Sequence, residues 1–320
     1  MTAAPLAPPP FADRLARAIE EKQSCLVVGL DPVLDRLPPY ALELWGGSTP
    51  GNEGLTARAA LAFGFFLREV VRVVADVAVA VKPNTAFFER YGAAGWECLR
   101  EVCRDARSQG LLVIADAKRG DVSHTAAAYA EALLGETRDT LGPHVDAVTL
   151  NPYLGSDSVA PYLERVRAAG KGLFVLVRTS NPSSSELQEL AIADGRPLYL
   201  HVAERVATWG EGFVGACGLS SVGAVVGATA PRQAAELRAA LPQTTFLVPG
   251  LGAQGARPED LGAYFLEGGR GALVNASRSI LFAYQNEAGR AAASWIDAIR
   301  AAALQTRDAL EAVRKGSSSG

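Results

Sequence analysis

Residues 111–118 read Leu-Leu-Val-Ile-Ala-Asp-Ala-Lys: apolar for five positions, then charged at every second one. A short, unbroken apolar run rich in Leu, Val and Ile is the pattern of a parallel β-strand covered on both faces. Seven further runs share it: CLVVGLD (25–31), VAVAVKPN (77–84), AVTLNPY (147–153), GLFVLVRTS (172–180), GAVVGA (223–228), TFLVPGLG (245–252) and GALVNAS (271–277). The stretches between them are longer, with apolar residues three and four apart. Examples are Leu187, Leu190 and Ala191, or Ala234, Leu237 and Arg238 with Leu241, which predict amphipathic helices. Eight strand–helix units in succession predict a single-domain α/β fold, the (β/α)8 TIM barrel. A doubly wound open sheet is the alternative, but no GxGxxG follows the first run.

The composition fits such a domain. In 320 residues, 49% are hydrophobic and 20% charged, which excludes a disordered chain. A formal net charge of −3 does not suit a surface that neutralises a phosphate backbone, so nucleic acid is not an expected partner. The four cysteines (Cys25, Cys98, Cys103, Cys217) form no CxxC pair and no metal-ligand spacing, as expected in a reducing cytoplasm. No apolar run approaches the roughly 18–20 residues that span a bilayer, so no membrane association is expected. The opening MTAAPLAPPPFADR has neither a basic n-region nor an apolar h-region and reads as no export signal. We expect residues 1–14 to be a flexible Pro-rich leader, 15–310 the barrel and 311–320 a flexible tail. Two connections, 32–58 and 181–212, are long and rich in Pro, Gly and Ser, as active-site lids often are.

In a (β/α)8 barrel the groups at the carboxyl ends of the strands converge on one face. Of 31 basic residues only five are lysines, and two of these, Lys82 and Lys118, fall at strand carboxyl ends. Lys171 precedes its strand and belongs to the opposite, structural face. Asp116-Ala-Lys118-Arg-Gly-Asp121 is the densest charge cluster at any strand end. Residues 116 and 118, two apart on a strand, point to the same side. With Lys82 from the neighbouring strand, two lysines and two aspartates can alternate around one small volume, each ammonium keeping the carboxylates ionised. The plainer readings are a structural Asp116–Lys118 pair and an N-cap at Asp121. A metal is not expected, because an ammonium between the carboxylates repels a cation. The glycine-bearing turn VPGLGAQG (248–255) and NASRS (275–279), after strands seven and eight, match the usual phosphate cradle of this architecture, with Arg278 as a forked anion contact. The alternative is two tight turns.

These residues resemble a known family. VIADAKRGDVSHT (113–125), with GLDP (29–32), KPNTAFFE (82–89), NPYLG (151–155), RTSNPS (178–183), VPGLGAQG and NASRSI (275–280), is similar to orotidine 5′-monophosphate decarboxylases of the second bacterial subfamily. The resemblance spans roughly residues 15–285. It implies a cofactor-free barrel that converts orotidine 5′-phosphate (OMP) to UMP and CO2 in pyrimidine synthesis and works as a homodimer with shared active sites. It also implies roles: Lys118 as proton donor, Asp116 facing the substrate carboxylate, Lys82 bridging ribose and aspartates, and Asp121 entering the partner's site with Thr125 beside it. Asp31 would accept a ribose hydroxyl, Gln254 and Arg278 would hold the phosphate, and Ser180, or Asn181 in its place, would meet the pyrimidine. Asn84, at the end of the second run, joins the substrate-binding set. Two alternatives stand beside this one: a magnesium-dependent sugar-phosphate decarboxylase or aldolase of the same superfamily, and a catalytically silent nucleotide-binding barrel.

Overall fold

The computed structural model describes residues 8–46, 52–135, 142–252 and 255–316. Eight parallel strands close into a barrel in chain order, with β8 pairing back onto β1. They are β1 (Leu26–Leu30), β2 (Ala80–Pro83), β3 (Leu112–Arg119), β4 (Ala147–Leu150), β5 (Gly172–Arg178), β6 (Ser220–Val226), β7 (Thr244–Pro249) and β8 (Ala272–Ala276). Each lies inside, or overlaps, one of the eight apolar runs. The main helices are α1 (Phe11–Lys22), α2 (Pro39–Gly46), α3 (Asn52–Val74), α4 (Gly92–Ser108), α5 (Ser123–Leu134), α6 (Ser156–Ala169), α7 (Leu198–Gly210), α8 (Pro231–Ala240) and α9 (Trp295–Gly316).

The strands are apolar on both sides because they serve two cores. On β3, Val113, Ala115 and Ala117 face the helix layer, whereas Leu112 and Ile114 fill the barrel interior. The inward series continues by strand alternation to Asp116 and Lys118. Three other strands repeat the arrangement: Ala80 leads to Lys82 on β2, Ala147 to Thr149 on β4, and Leu273 to Asn275 on β8. The interior is therefore hydrocarbon at its amino end, and its polar residues gather at the carboxyl end on β2, β3, β4 and β8, facing Leu176, Val225 and Leu247 across the cavity.

Helix α1 closes the amino end. Phe11 and Leu15 enter the interior core, with Phe11 edge-on to Phe174 at 6.0 Å between ring centroids. Arg14 pairs with Asp146 at 2.5 Å, and Asp13 accepts from the backbone N–H of Ala216 and Cys217. Phe11–Arg14, which the sequence reading assigns to the leader, belong to α1, where Phe11 fills an apolar opening that the strands leave uncovered. Likewise α9 runs to Gly316 with Leu310 and Glu311 buried, past the expected start of the tail at 311.

Two further expectations are revised. The connection 32–58 is not an irregular lid: its described part forms a 3-10 turn (Leu34–Arg36), α2 and the start of α3, with Leu37 and Ala41 buried. The predicted helix through Leu187, Leu190 and Ala191 is only a single turn, Ser185–Gln188; Leu187 and Leu190 are exposed, and the packed helix of that unit is α7. Arg238 does fall on the buried face of α8. Its guanidinium lies 3.6 Å from the centroid of the Phe246 ring and donates to the carbonyls of Leu241, Thr244, Tyr264 and Gly271, tying α8 to β7 and the segments either side of it.

Candidate active site

At the carboxyl end of the barrel is a cavity of about 500 Å3. At its centre stands Asp116, whose carboxylate is buried and engaged on both oxygens. Lys82 Nζ donates to Oδ2 at 2.8 Å and Lys118 Nζ to Oδ1 at 2.5 Å. Burial by itself would raise the Asp116 pKa, but the two ammonium groups outweigh it and hold the carboxyl well below the usual range. Burial would lower the pKa of Lys82, but Asp116 and Asp31 reverse that and hold it above its ordinary value. Both groups are therefore charged at neutral pH. Lys82 is buried, whereas Lys118 is half exposed toward the cavity.

Backbone geometry completes the cluster. Lys118 has φ 45°, a left-handed conformation uncommon for a side-chain-bearing residue, and the β3–β4 register shifts between Ala115 and Arg119. The displaced Lys118 N–H is taken by Thr149 Oγ1 at 2.9 Å, and the same hydroxyl donates to Asp116 Oδ1 at 3.0 Å. Sequence reasoning missed Thr149. Its signal was the inward alternation of AVTLN, in which Thr149 follows Ala147 by two.

Of the expected site residues, Asp31, Lys82, Asp116, Lys118, Ser180 and Arg278 all line the cavity, as does Asn181. Asn84 does not line it, but stands behind Asp116 with Nδ2 3.5 Å from Oδ2 while its Oδ1 accepts from Ala86 N–H. Asp121 and Thr125 do not reach the cavity of their own chain: Asp121 Oδ1 accepts from Val122 N–H, and Thr125 sits in the first turn of α5. Gln254 lies outside the described residues.

The cradle after β7 and β8 is formed by Pro249, Gly250, Leu251, Ser277 and Arg278. It depends on Gly29 of β1. A Cβ there would sit 1.8 Å from Ser277 Oγ, so only glycine lets the β8 loop come this close. Two acceptors among the lining residues, Asp31 Oδ1 and Asn275 Oδ1, are buried and accept no hydrogen bond among the described residues. Buried acceptors of this kind call for donors.

The connection after β5 bends over the cavity and is pinned to its own strand. Arg178 donates to the Thr179 carbonyl at 2.6 Å, to Ser184 Oγ and to Glu189 Oε1 at 2.8 Å. Gln188 accepts from Thr179 N–H and donates to Thr179 Oγ1, both at 2.8 Å, and lines the cavity. Residues 179–188 thus form a folded flap, and the remainder of the expected 181–212 lid is largely α7.

A family model described as "Orotidine 5'-phosphate decarboxylase / HUMPS family" matches residues 60–294. The chain belongs to the orotidine 5′-phosphate decarboxylase family. Its carboxy-lyase relatives extend the likeness to the first strand. The decarboxylase of Rhodopirellula baltica is 43% identical over 305 residues, covering 94% of this chain and 99% of the relative. That of Caldicellulosiruptor bescii is 40% identical, covering 86% and 90%. Among solved structures, an orotidine-monophosphate decarboxylase from Toxoplasma gondii superposes with a TM-score of 0.78 at 33% identity, covering 97% of this chain and 99% of that one. For the decarboxylase described here, the likeness in sequence and in fold therefore extends over nearly the whole chain.

Proposed function

We propose that the chain decarboxylates OMP to UMP and CO2, with Lys118 as proton donor to C6 and no cofactor. The observation that carries this reading is the buried Asp116 carboxylate, bracketed by Lys82 and Lys118, in a cavity that ends in a phosphate cradle. When the C6–carboxylate bond breaks, its electron pair stays on C6, and CO2 departs. The ring offers no imine to spread that charge, so it must be stabilised by fixed cations nearby. Lys118 then transfers one ammonium proton to C6, giving UMP, and is reprotonated from solvent. Asp116 fixes the ammonium and faces the substrate carboxylate, whose charge it opposes until CO2 leaves. The phosphate, held remotely by Arg278 and the backbone of the β7 and β8 loops, supplies binding energy that keeps the opposed charges together. Asp31 Oδ1 accepts a ribose hydroxyl, and Ser180, with Asn181 beside it, meets the pyrimidine edge. The resemblance assigns Gln254 a further phosphate contact.

The motif set supports placement in the second bacterial subfamily. We further assign the working unit as a homodimer in which Asp121, with Thr125 beside it, serves the partner's site; in its own chain neither reaches the cavity. The net charge of −3 and four free cysteines support a cytoplasmic enzyme with no nucleic-acid partner.

The test follows the fall of orotidylate absorbance. Lys118→Ala should abolish turnover while the circular dichroism spectrum is unchanged, and Lys118→Arg should not restore it, because a guanidinium is a poor acid of different shape. Near-normal turnover of Lys118→Ala would overturn the mechanism. Loss of wild-type activity on chelation would favour the magnesium-dependent relatives instead.

A further inference from the structure

Beside the phosphate cradle lies a second cleft, of about 750 Å3, which shares Arg278 with the first. Its wall carries two more arginines, Arg36 and Arg290, together with Ser279, Gln285 and Asn286, and no carboxylate. Arg36 is held in place rather than loosely displayed. Its guanidinium lies 3.8 Å from the centroid of the Phe282 ring, and its Nε and Nη2 both donate to Gln285 Oε1, at 2.9 and 2.7 Å. Its backbone carbonyl in turn accepts from Gln285 Nε2 at 3.0 Å and from the Tyr284 hydroxyl. Arg290, on the turn Glu287–Arg290, is exposed. Neither Arg36 nor Arg290 has an ion-pair partner among the described residues, in a chain where many arginines are paired. Three guanidinium groups around one cleft repel one another unless an anion lies between them. OMP and UMP carry a single phosphate, which the cradle takes at Arg278, so they offer no anion to Arg36 and Arg290.

We infer that the second cleft receives the β- and γ-phosphates of a pyrimidine nucleoside 5′-di- or triphosphate whose base, ribose and α-phosphate occupy the substrate site. This rests on the reading of Arg278 as a phosphate contact and extends it. The consequence is competitive inhibition by more highly phosphorylated relatives of the product.

Calorimetric titration of the whole enzyme with UMP, UDP, UTP and inorganic pyrophosphate tests this. UDP and UTP should compete with UMP for one site. Arg290→Gln should weaken UDP and UTP about tenfold, the loss of about one charge-assisted hydrogen bond, while changing UMP affinity and the kcat for OMP less than about twofold. Arg36→Gln should do the same; if it fails to fold, Arg290→Gln decides. Equal losses for UMP and UDP, or UDP binding indifferent to Arg290, would overturn the inference. So would pyrophosphate that binds without displacing UMP, because the cleft would then be an independent anion site. A comparison of UMP with uridine separates the two readings. If Arg278→Ala does not selectively weaken UMP, the cradle itself is misassigned. If it does and UDP ignores Arg290, only the extension fails.

Discussion

A single hydroxyl joins the two halves of the catalytic cluster. Thr149 accepts from the Lys118 backbone and donates to Asp116, so it fixes both the strained turn and the carboxylate that positions the lysine. Thr149→Val keeps the volume and removes both bonds. Net losses of roughly 1–3 kcal/mol for bonds that involve a charged group predict a fall in kcat of about five- to a hundred-and-sixtyfold with a smaller change in KM. Steady-state kinetics checks this, and an unchanged kcat would show that the two lysines alone orient Asp116. The ion array itself has a defined pH window. Because the Asp116 pKa is depressed on folding, its contribution to stability is fully present above the unfolded value of about 3.9 and is lost as pH falls through the folded one. Lys82, raised on folding, contributes below its unfolded value of about 10.4 and loses that contribution as pH rises through the folded one. Breaking the pair by Asp116→Asn should cost about 3–5 kcal/mol at pH 6. In denaturant titrations that gap should narrow only below about pH 4; a gap that closed already at pH 6 would mean Asp116 is not held ionised.

At the scale of elements, α1 acts as a plug rather than a leader. It places Phe11 and Leu15 among Val27, Ile114 and Phe174 in the lower barrel, while Arg14 and Asp13 tether it to β4 and to the β6 approach. Phe11→Ala should destabilise the fold by about 3–5 kcal/mol, the usual range for a buried aromatic truncated to alanine. Because the plug lies at the opposite end of the strands from Asp116, kcat below the melting transition should be retained. A parallel loss of kcat in fully folded protein would show that the lower layer sets the geometry of the upper one.

At the scale of the whole molecule, the proposed homodimer makes each site composite. Asp121 follows Lys118 by three residues yet does not line the same cavity. Lys118→Ala and Asp121→Ala, each inactive alone, should then complement when refolded together. A mixed dimer keeps one site with both residues and one with neither. With half the dimers mixed, activity should recover to about a quarter of wild type. Dimers confirmed by sizing but without decarboxylation would rule out the shared site.

The unbroken apolar run in LLVIADAK, repeated in seven other runs with amphipathic stretches between them, pointed to the barrel over an open sheet. Buried parallel strands need apolar residues on both faces, and polar ones survive only where the strand ends at solvent. The same reasoning placed Lys82, Asp116 and Lys118 together, because neighbouring strand ends must converge in a closed sheet. Other features depend on partners distant in the chain. Thr149 looks like any strand threonine until the Lys118 backbone turns left-handed and needs an acceptor 31 residues away. Phe11 looks like part of a proline-rich leader until the closed barrel presents an apolar opening for it. Gly29 looks like a weak point in a strand until Ser277, just past β8, approaches it across the closure of the sheet. Local pattern fixes which way a side chain points, but only the closed barrel determines what it meets there.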